Sequence, residues 1–305
     1  MRAVVVRRTG VELIETDVPE PAAGQVRIAV AAAGINPVEL GTINGGLVAA
    51  GIASQHEQYG LGWDVAGTVD ATGPGADLPA GTPVVGLSDQ TGIPLKTHAD
   101  YVVLGASSVA PAPRNASLVE AATLPLNALT ALQALNRIAL NAGDTVLVTG
   151  AAGGVGGYAV QLAKHRGLKV VATGGPDDEK LVTELGADLV VPRSADLNLA
   201  VRAELPGGVD GAIDAAVLGV AALDSARNHG SFAALIGPPP PGLRGITVHH
   251  VLIVADGNQL VDLVGLVESG ALTLRVADSY PLTEAETAYA RLANGGLRGR
   301  LVLIP

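Results

Sequence analysis

Apolar positions change their spacing about a third of the way along the chain. Early on, short strand-like runs recur at Ala3–Arg7, Gln25–Ala33, Gly67–Ala71, Thr82–Gly86 and Tyr101–Leu104. Pro19, Pro21, Pro74, Gly75, Pro79 and Gly81 separate them, which predicts a β-rich region with frequent turns. Over Ser117–Arg137 the spacing becomes helical, with Ser117 as N-cap and Glu120 three residues on as the partner in a capping box. From Asp144 onward strand and helix patterns alternate. Strands are expected at Thr145–Thr149, Lys169–Thr173, Leu189–Val191, Gly211–Asp214 and Ser231–Ile236, and helices at Val155–Arg166 and Glu179–Leu185. Such alternation implies right-handed βαβ units around a parallel sheet. After Pro238–Pro241 the pattern gives helices at Gln259–Ser269 and Glu284–Asn294, then a closing strand, Arg300–Ile304.

Length and composition fit two domains. The 305 residues exceed one ordinary core, and 48% are hydrophobic, enough to fill two. A net charge of −10 argues against a nucleic-acid or anionic-membrane surface, which needs a basic patch. The absence of cysteine removes disulfides, thiolate metal sites and cysteine nucleophiles together. No apolar run reaches the roughly 20 residues of a membrane helix, and the first residues carry no signal-peptide core, so a cytoplasmic protein is expected.

The sharpest motif is Thr145-Val-Leu-Val-Thr-Gly-Ala-Ala-Gly-Gly-Val-Gly156, where a strand enters a glycine-rich turn and then a helix. Gly153 and Gly154 would let backbone approach a pyrophosphate, and Val155 opens the helix whose N–H groups face it. Gly156 would let helix and strand pack closely. Ala151 stands where the usual fingerprint has its first glycine. At the end of the next strand, Thr173 and Gly174 replace the carboxylate with which NAD sites grip the ribose 2′-hydroxyl. Lys180 is within reach of a 2′-phosphate if its loop folds back, although Asp177 and Asp178 oppose this. NADPH is therefore expected ahead of NADH.

Several further segments share one order with the medium-chain dehydrogenase/reductase superfamily. The chain resembles its zinc-independent, quinone oxidoreductase-like branch in Ala33-Gly-Ile-Asn-Pro-Val-Glu39, Gly62-Trp-Asp-Val-Ala-Gly-Thr-Val69, Ala99-Asp-Tyr-Val-Val103 and Glu120-Ala-Ala-Thr-Leu-Pro-Leu126. Leu129-Thr-Ala131, Gly150–Lys164, Leu185-Gly-Ala-Asp188 and Arg298-Gly-Arg-Leu-Val-Leu303 extend the likeness. The resemblance implies an α/β protein, a doubly wound parallel Rossmann domain (118–257) inserted into a mostly β GroES-like substrate domain (1–117 and 258–305). It also implies a homodimer. Zinc-dependent relatives carry metal ligands at places held here by Asn36, by Trp63 with Asp64, and by Leu126, so no metal is expected. His56-Glu57 imitates a ligand pair but lies off the motif, and His249-His250 would point to opposite faces of a strand.

Without a metal Lewis acid, the expected reaction is hydride transfer to an already electrophilic small molecule, a quinone or an enone. The resemblance places Thr130 beside the nicotinamide and Asn36 at the mouth of the substrate cleft. Ile236 ends the strand whose end normally faces the nicotinamide and is a candidate cofactor-binding residue. Trp63 and Asn127 are candidate pocket walls, and Tyr59 is the nearest phenol to serve as proton donor. Two other readings stand beside this one: an enoyl-thioester reductase, and a nucleotide-binding protein without turnover.

Overall fold

The computed structural model describes residues 1–193 and 196–305. The chain divides into two compact units. One comprises Met1–Leu129, Val254–Gly270 and Leu274–Pro305, and the other Thr130–Ile253 with Ala271–Thr273.

In the second unit six parallel strands lie in the spatial order Leu189–Pro192, Lys169–Gly174, Thr145–Thr149, Val209–Asp214, Ala226–Ala234, Thr247–His250. Numbered along the unit this is 3-2-1-4-5-6, the doubly wound Rossmann order. The central strand reads as a continuous apolar run, Val146, Leu147 and Val148 all being buried, as expected when both sheet faces are covered. The one phenylalanine, Phe232, is fully buried in a cluster with Leu147, Val171, Val209 and Ile246.

The first unit is built on a seven-stranded sheet. The long strand Gln25–Ile35 pairs antiparallel with Asp64–Thr72, Tyr101–Gly105 and Arg300–Ile304. Asp64–Thr72 continues through Pro83–Leu87 to Val109–Pro111, and Arg300–Ile304 pairs parallel with Val276–Pro281. A small antiparallel sheet joins Gly10–Glu15, Arg2–Arg7 and Gln58–Gly60. The closing strand of the chain thus completes a sheet begun by its first hundred residues.

Three expectations change. The helix read over Ser117–Arg137 is two, Leu118–Ala121 and Pro125–Ile138. Pro125 lacks the N–H that a continuous helix would use and disfavours helical backbone at the residue before it, yet it is well suited to open a new helix. The Ser117 cap and its Glu120 partner are present as read. The strand read over Ser231–Ile236 runs instead over Ala226–Ala234, which leaves Ile236 beyond its end and exposed. Gly10–Glu15, Thr247–His250, Val276–Pro281 and the helix Leu197–Glu204 escaped the sequence pattern, because edge elements with mixed polar faces leave no long apolar run.

Candidate active site

In the second unit, Thr149 ends the first strand, Gly150 turns with φ +63°, and the helix Gly154–His165 begins with Gly153 as its N-cap. The left-handed residue is Gly150, so Ala151 needs no special conformation and sits buried with its side chain in the core. Gly156 is the close-packing position: a Cβ there would lie 2.2 Å from the Gly150 carbonyl oxygen. The turn is tied to its neighbour by Thr173, whose hydroxyl accepts the Gly150 N–H at 3.0 Å. On the other side Thr149 Oγ1 donates to Asp214 at 2.6 Å and accepts the Ala216 N–H. With no side chain on Gly153 or Gly154, the helix start is open to a pyrophosphate, so the residues present fit a dinucleotide.

At the end of the strand Lys169–Gly174, no carboxylate replaces Gly174 or Gly175. The nearest acid, Asp178, is buried and folded inward, its Oδ2 accepting the Gly175 N–H at 2.9 Å. Lys180 points along its own short helix to Glu184, 3.9 Å away. The cation beside this strand end is instead Arg193. Its Nη2 lies 3.8 Å from Asp178 and would sit 2.6 Å from a Cβ on Gly175. Sequence reading passed over Arg193 because it lies on the next strand's exit, which only the parallel pairing brings alongside.

The first unit holds a buried polar chain. Arg300 donates from Nε to Asn127 Oδ1 at 2.8 Å, and Asn127 Nδ2 donates to Asn36 Oδ1 at 3.1 Å. Asn36 Nδ2 donates to Asp64 Oδ2 at 2.7 Å, while Asp64 Oδ1 accepts the Leu126 N–H at 2.5 Å. Asn36, Asp64 and Asn127 are completely enclosed, which corrects the expectation that the Asn36 amide faces a cleft and that Asn127 walls one. Both amides are committed to neighbours. Burial pushes the Asp64 carboxyl up to about 6, against the pull of the Leu126 N–H, the Asn36 amide and Arg300.

Beside this chain lies a second buried group. Glu39 Oε2 accepts the Asn36 N–H at 2.8 Å, while Oε1 has no hydrogen-bond partner among the described residues. Burial pushes its carboxyl up to about 8. Lys96 is buried too, and loss of water pushes its amine down to about 7, with Glu39, Asp89 and Asp64 pulling it back up. Its Nζ rests 3.7 Å from the centroid of the Trp63 ring, a cation–π geometry worth ~2 kcal/mol when desolvated. His98 is held neutral and its pKa depressed to about 4 by burial. Nε2 donates to the Gly34 carbonyl at 3.0 Å, and Nδ1 accepts from the Tyr289 hydroxyl at 2.6 Å.

A narrow pocket within this unit opens onto Lys96 and Trp63, with Thr42, Tyr59, Gln90 and Thr91 among its walls. Trp63 lines this pocket. Tyr59 also lines the pocket, but its hydroxyl donates to the Ser54 carbonyl at 3.0 Å and accepts the His56 N–H at 2.7 Å. Its proton ties down the 54–56 loop, which corrects its reading as a proton donor. Sequence reasoning missed Lys96, since a lone lysine in a loop gives no signal until a tryptophan is folded under it. Thr130 lies in the second unit's part of the helix Pro125–Ile138 and is buried.

This fold and these two sites define a medium-chain reductase with a nucleotide unit and a GroES-like unit. The alcohol dehydrogenase GroES-like domain family matches residues 22–114, and the zinc-binding dehydrogenase family matches residues 185–303. A 2-methylene-furan-3-one reductase of Solanum lycopersicum is 30% identical over 94% of this chain and 74% of its own length. An NADPH-dependent alkenal/one oxidoreductase of Arabidopsis thaliana is 30% identical over 97% and 77%. The solved quinone oxidoreductase of Coxiella burnetii superposes with a TM-score of 0.87 at 29% identity, covering 100% of this chain and 99% of that one. The chain belongs to the medium-chain dehydrogenase/reductase superfamily, in its zinc-independent, quinone oxidoreductase-like branch.

One family description implies zinc, and the residues do not fit it. At the places where the resemblance puts metal ligands stand an amide, an indole with one carboxylate, and a leucine, and Asn36 and Asp64 bond to each other. Among the described residues no group of three His, Cys, Asp or Glu is placed to hold a metal ion.

Proposed function

We propose that the protein is an NADPH-dependent reductase that transfers hydride to a quinone or an α,β-unsaturated carbonyl compound without a metal. The observation that carries this reading is the hydrogen-bonded Asn36–Asp64 pair, at places where the resemblance puts the ligands of zinc-dependent relatives, in a chain that keeps the glycine turn at Gly150–Gly156. Two relatives named for enone- and alkenal-type reduction support it.

The chain's own groups divide the work. The helix start at Gly154, with its turn braced by Thr173 and Asp214, takes the pyrophosphate. Arg193, beside the uncharged Gly174 and Gly175, meets a 2′-phosphate, and this replaces Lys180 as the basis for preferring NADPH. Bound reduced nicotinamide supplies the hydride, with Thr130 beside it. Trp63 and the loops around it exclude water from the acceptor. The chain from Arg300 through Asn127 and Asn36 to Asp64 holds the base of that unit rigid.

The protein is further proposed to act in the cytoplasm as a homodimer. Among the described residues no helix is long and apolar enough to cross a membrane. Strand Thr247–His250 lies at the end of its sheet and runs on into exposed Leu252 and Val254.

Oxidation of NADPH and of NADH, followed by nicotinamide absorbance against a panel of quinones and simple enones, tests the function. The expected result is turnover with at least one acceptor and a lower KM for NADPH. Tight NADPH binding with no turnover on any quinone or enone would overturn it.

A further inference from the structure

We propose that Val217 is a cofactor-contact residue, held in a strained backbone so that its side chain seats the nicotinamide end of the dinucleotide. The inference rests on the nucleotide-binding part of the reading above, and not on the acceptor or its reduction.

The backbone of Val217 is left-handed, with φ +58°. Among the described residues Ala139, His229 and Arg244 also have positive φ without being glycine, but only Val217 is β-branched. Two groups on its Cβ crowd that conformation, so a valine keeps it only where its surroundings impose it. Here they do. Thr149 Oγ1 accepts the Ala216 N–H at 3.0 Å. Asp214 takes the Leu218 N–H on Oδ1 at 3.1 Å and the Gly219 N–H on Oδ2 at 2.7 Å. The Thr149 hydroxyl in turn donates to Asp214 Oδ1, and both residues are buried at the ends of paired strands. The N–H groups on either side of Val217 are thus clamped, whereas among the described residues its own N–H has no acceptor.

The strain does nothing for the core, since Val217 is 54% exposed. An imposed conformation that ends in an exposed apolar side chain serves a ligand rather than packing. The position of the loop says which ligand. It abuts the glycine turn: a Cβ on Gly150 would lie 3.4 Å from the Ala215 carbonyl oxygen and from Ala216 Cβ. On the other side, a Cβ on Gly237 would lie 3.8 Å from Val217 Cγ1. Gly237 follows exposed Ile236, just past the strand Ala226–Ala234. A dinucleotide crosses the carboxyl ends of the strands where their order reverses, here between Thr145–Thr149 and Val209–Asp214. With the 2′-phosphate at Arg193, past the strand Leu189–Pro192, the adenosine half occupies one side of that reversal. The nicotinamide half then extends over the ends of Val209–Asp214 and Ala226–Ala234, where Val217 and Ile236 stand. A flat ring carrying a carboxamide suits an apolar side chain beside an unpaired N–H.

The test compares wild type with Val217→Gly and Val217→Ala in titration calorimetry and thermal melting. The ligands are NADPH and 2′,5′-ADP, which keeps the adenosine and its 2′-phosphate but has no nicotinamide. Both variants should bind NADPH about fivefold or more weakly, because an apolar contact is lost. Their affinity for 2′,5′-ADP should equal that of wild type. Without ligand, Val217→Gly should melt about 2 °C or more above Val217→Ala, since glycine takes the left-handed backbone without crowding. Unchanged NADPH affinity in both variants would overturn the proposal. Equal weakening of both ligands would overturn it too, as it would mark a general disturbance of the nucleotide site. A Val217→Ala variant that melts at or above Val217→Gly would remove the strained backbone on which the argument stands. If wild type binds NADPH but reduces no acceptor, the reductase reading fails by itself and the affinities still decide Val217. If wild type binds neither nucleotide, the nucleotide reading fails and Val217 with it.

Discussion

Glu39 shows how a single residue's burial becomes measurable. Its carboxyl titrates at about 8 in the folded chain, above its ordinary 4.5, because it is enclosed with one oxygen unpartnered. The protonated form therefore favours the fold. This contribution is complete below about 4.5 and is lost as pH rises through about 8. Glu39→Gln mimics the protonated state at every pH. The variant should melt a few degrees above wild type near neutral pH, and the gap should shrink as pH falls toward 5. Calorimetry at several pH values would check this, and a constant gap would contradict it. Lys96, titrating at about 7, contributes no slope below its own titration. Asn36 makes a complementary case. Truncation to alanine strands Asp64 Oδ2 and a donor of Asn127, at a cost of roughly 1–3 kcal/mol, visible as a lower denaturation midpoint.

Elements explain which parts of the cofactor site could be read in advance. The strand Thr145–Thr149, the turn and the helix Gly154–His165 are contiguous in sequence, and Gly153 and Gly156 fall where their spacing places them. Gly156→Ala should weaken NADPH binding at least tenfold, measured by fluorescence titration, since a Cβ would force the helix off the Gly150 carbonyl. The proposed 2′-phosphate contact was not legible in the same way. Sequence pointed to Lys180, six residues after Gly174, whereas parallel pairing brings Arg193 to that strand end. Arg193→Gln should raise KM for NADPH by about tenfold, the equivalent of ~1.4 kcal/mol, and leave that for NADH nearly unchanged. Equal effects on both cofactors would remove Arg193 from recognition of the phosphate.

At the scale of the whole molecule, the alternation of strands and helices revealed the doubly wound sheet, and the early β-rich stretch revealed the second kind of unit. The sheet order and the return of Arg300–Ile304 to the first unit depend on long-range pairing that no local pattern reports. The same limit hid the chemistry. Asn36, Asp64, Asn127 and Arg300 are far apart along the chain, and each is unremarkable alone. Lys96 becomes interesting only with Trp63 beneath it. What sequence did convey was the substitution at every zinc-ligand place, and that substitution is the root of the functional account.

Metal independence is accordingly the claim to test most directly. The protein would be dialysed against a strong chelator, its metal content verified as nil, and its rate of NADPH oxidation measured with the best quinone or enone acceptor, with and without added zinc. The account predicts an undiminished rate that zinc does not raise. Loss of activity on chelation, restored by stoichiometric zinc, would contradict it.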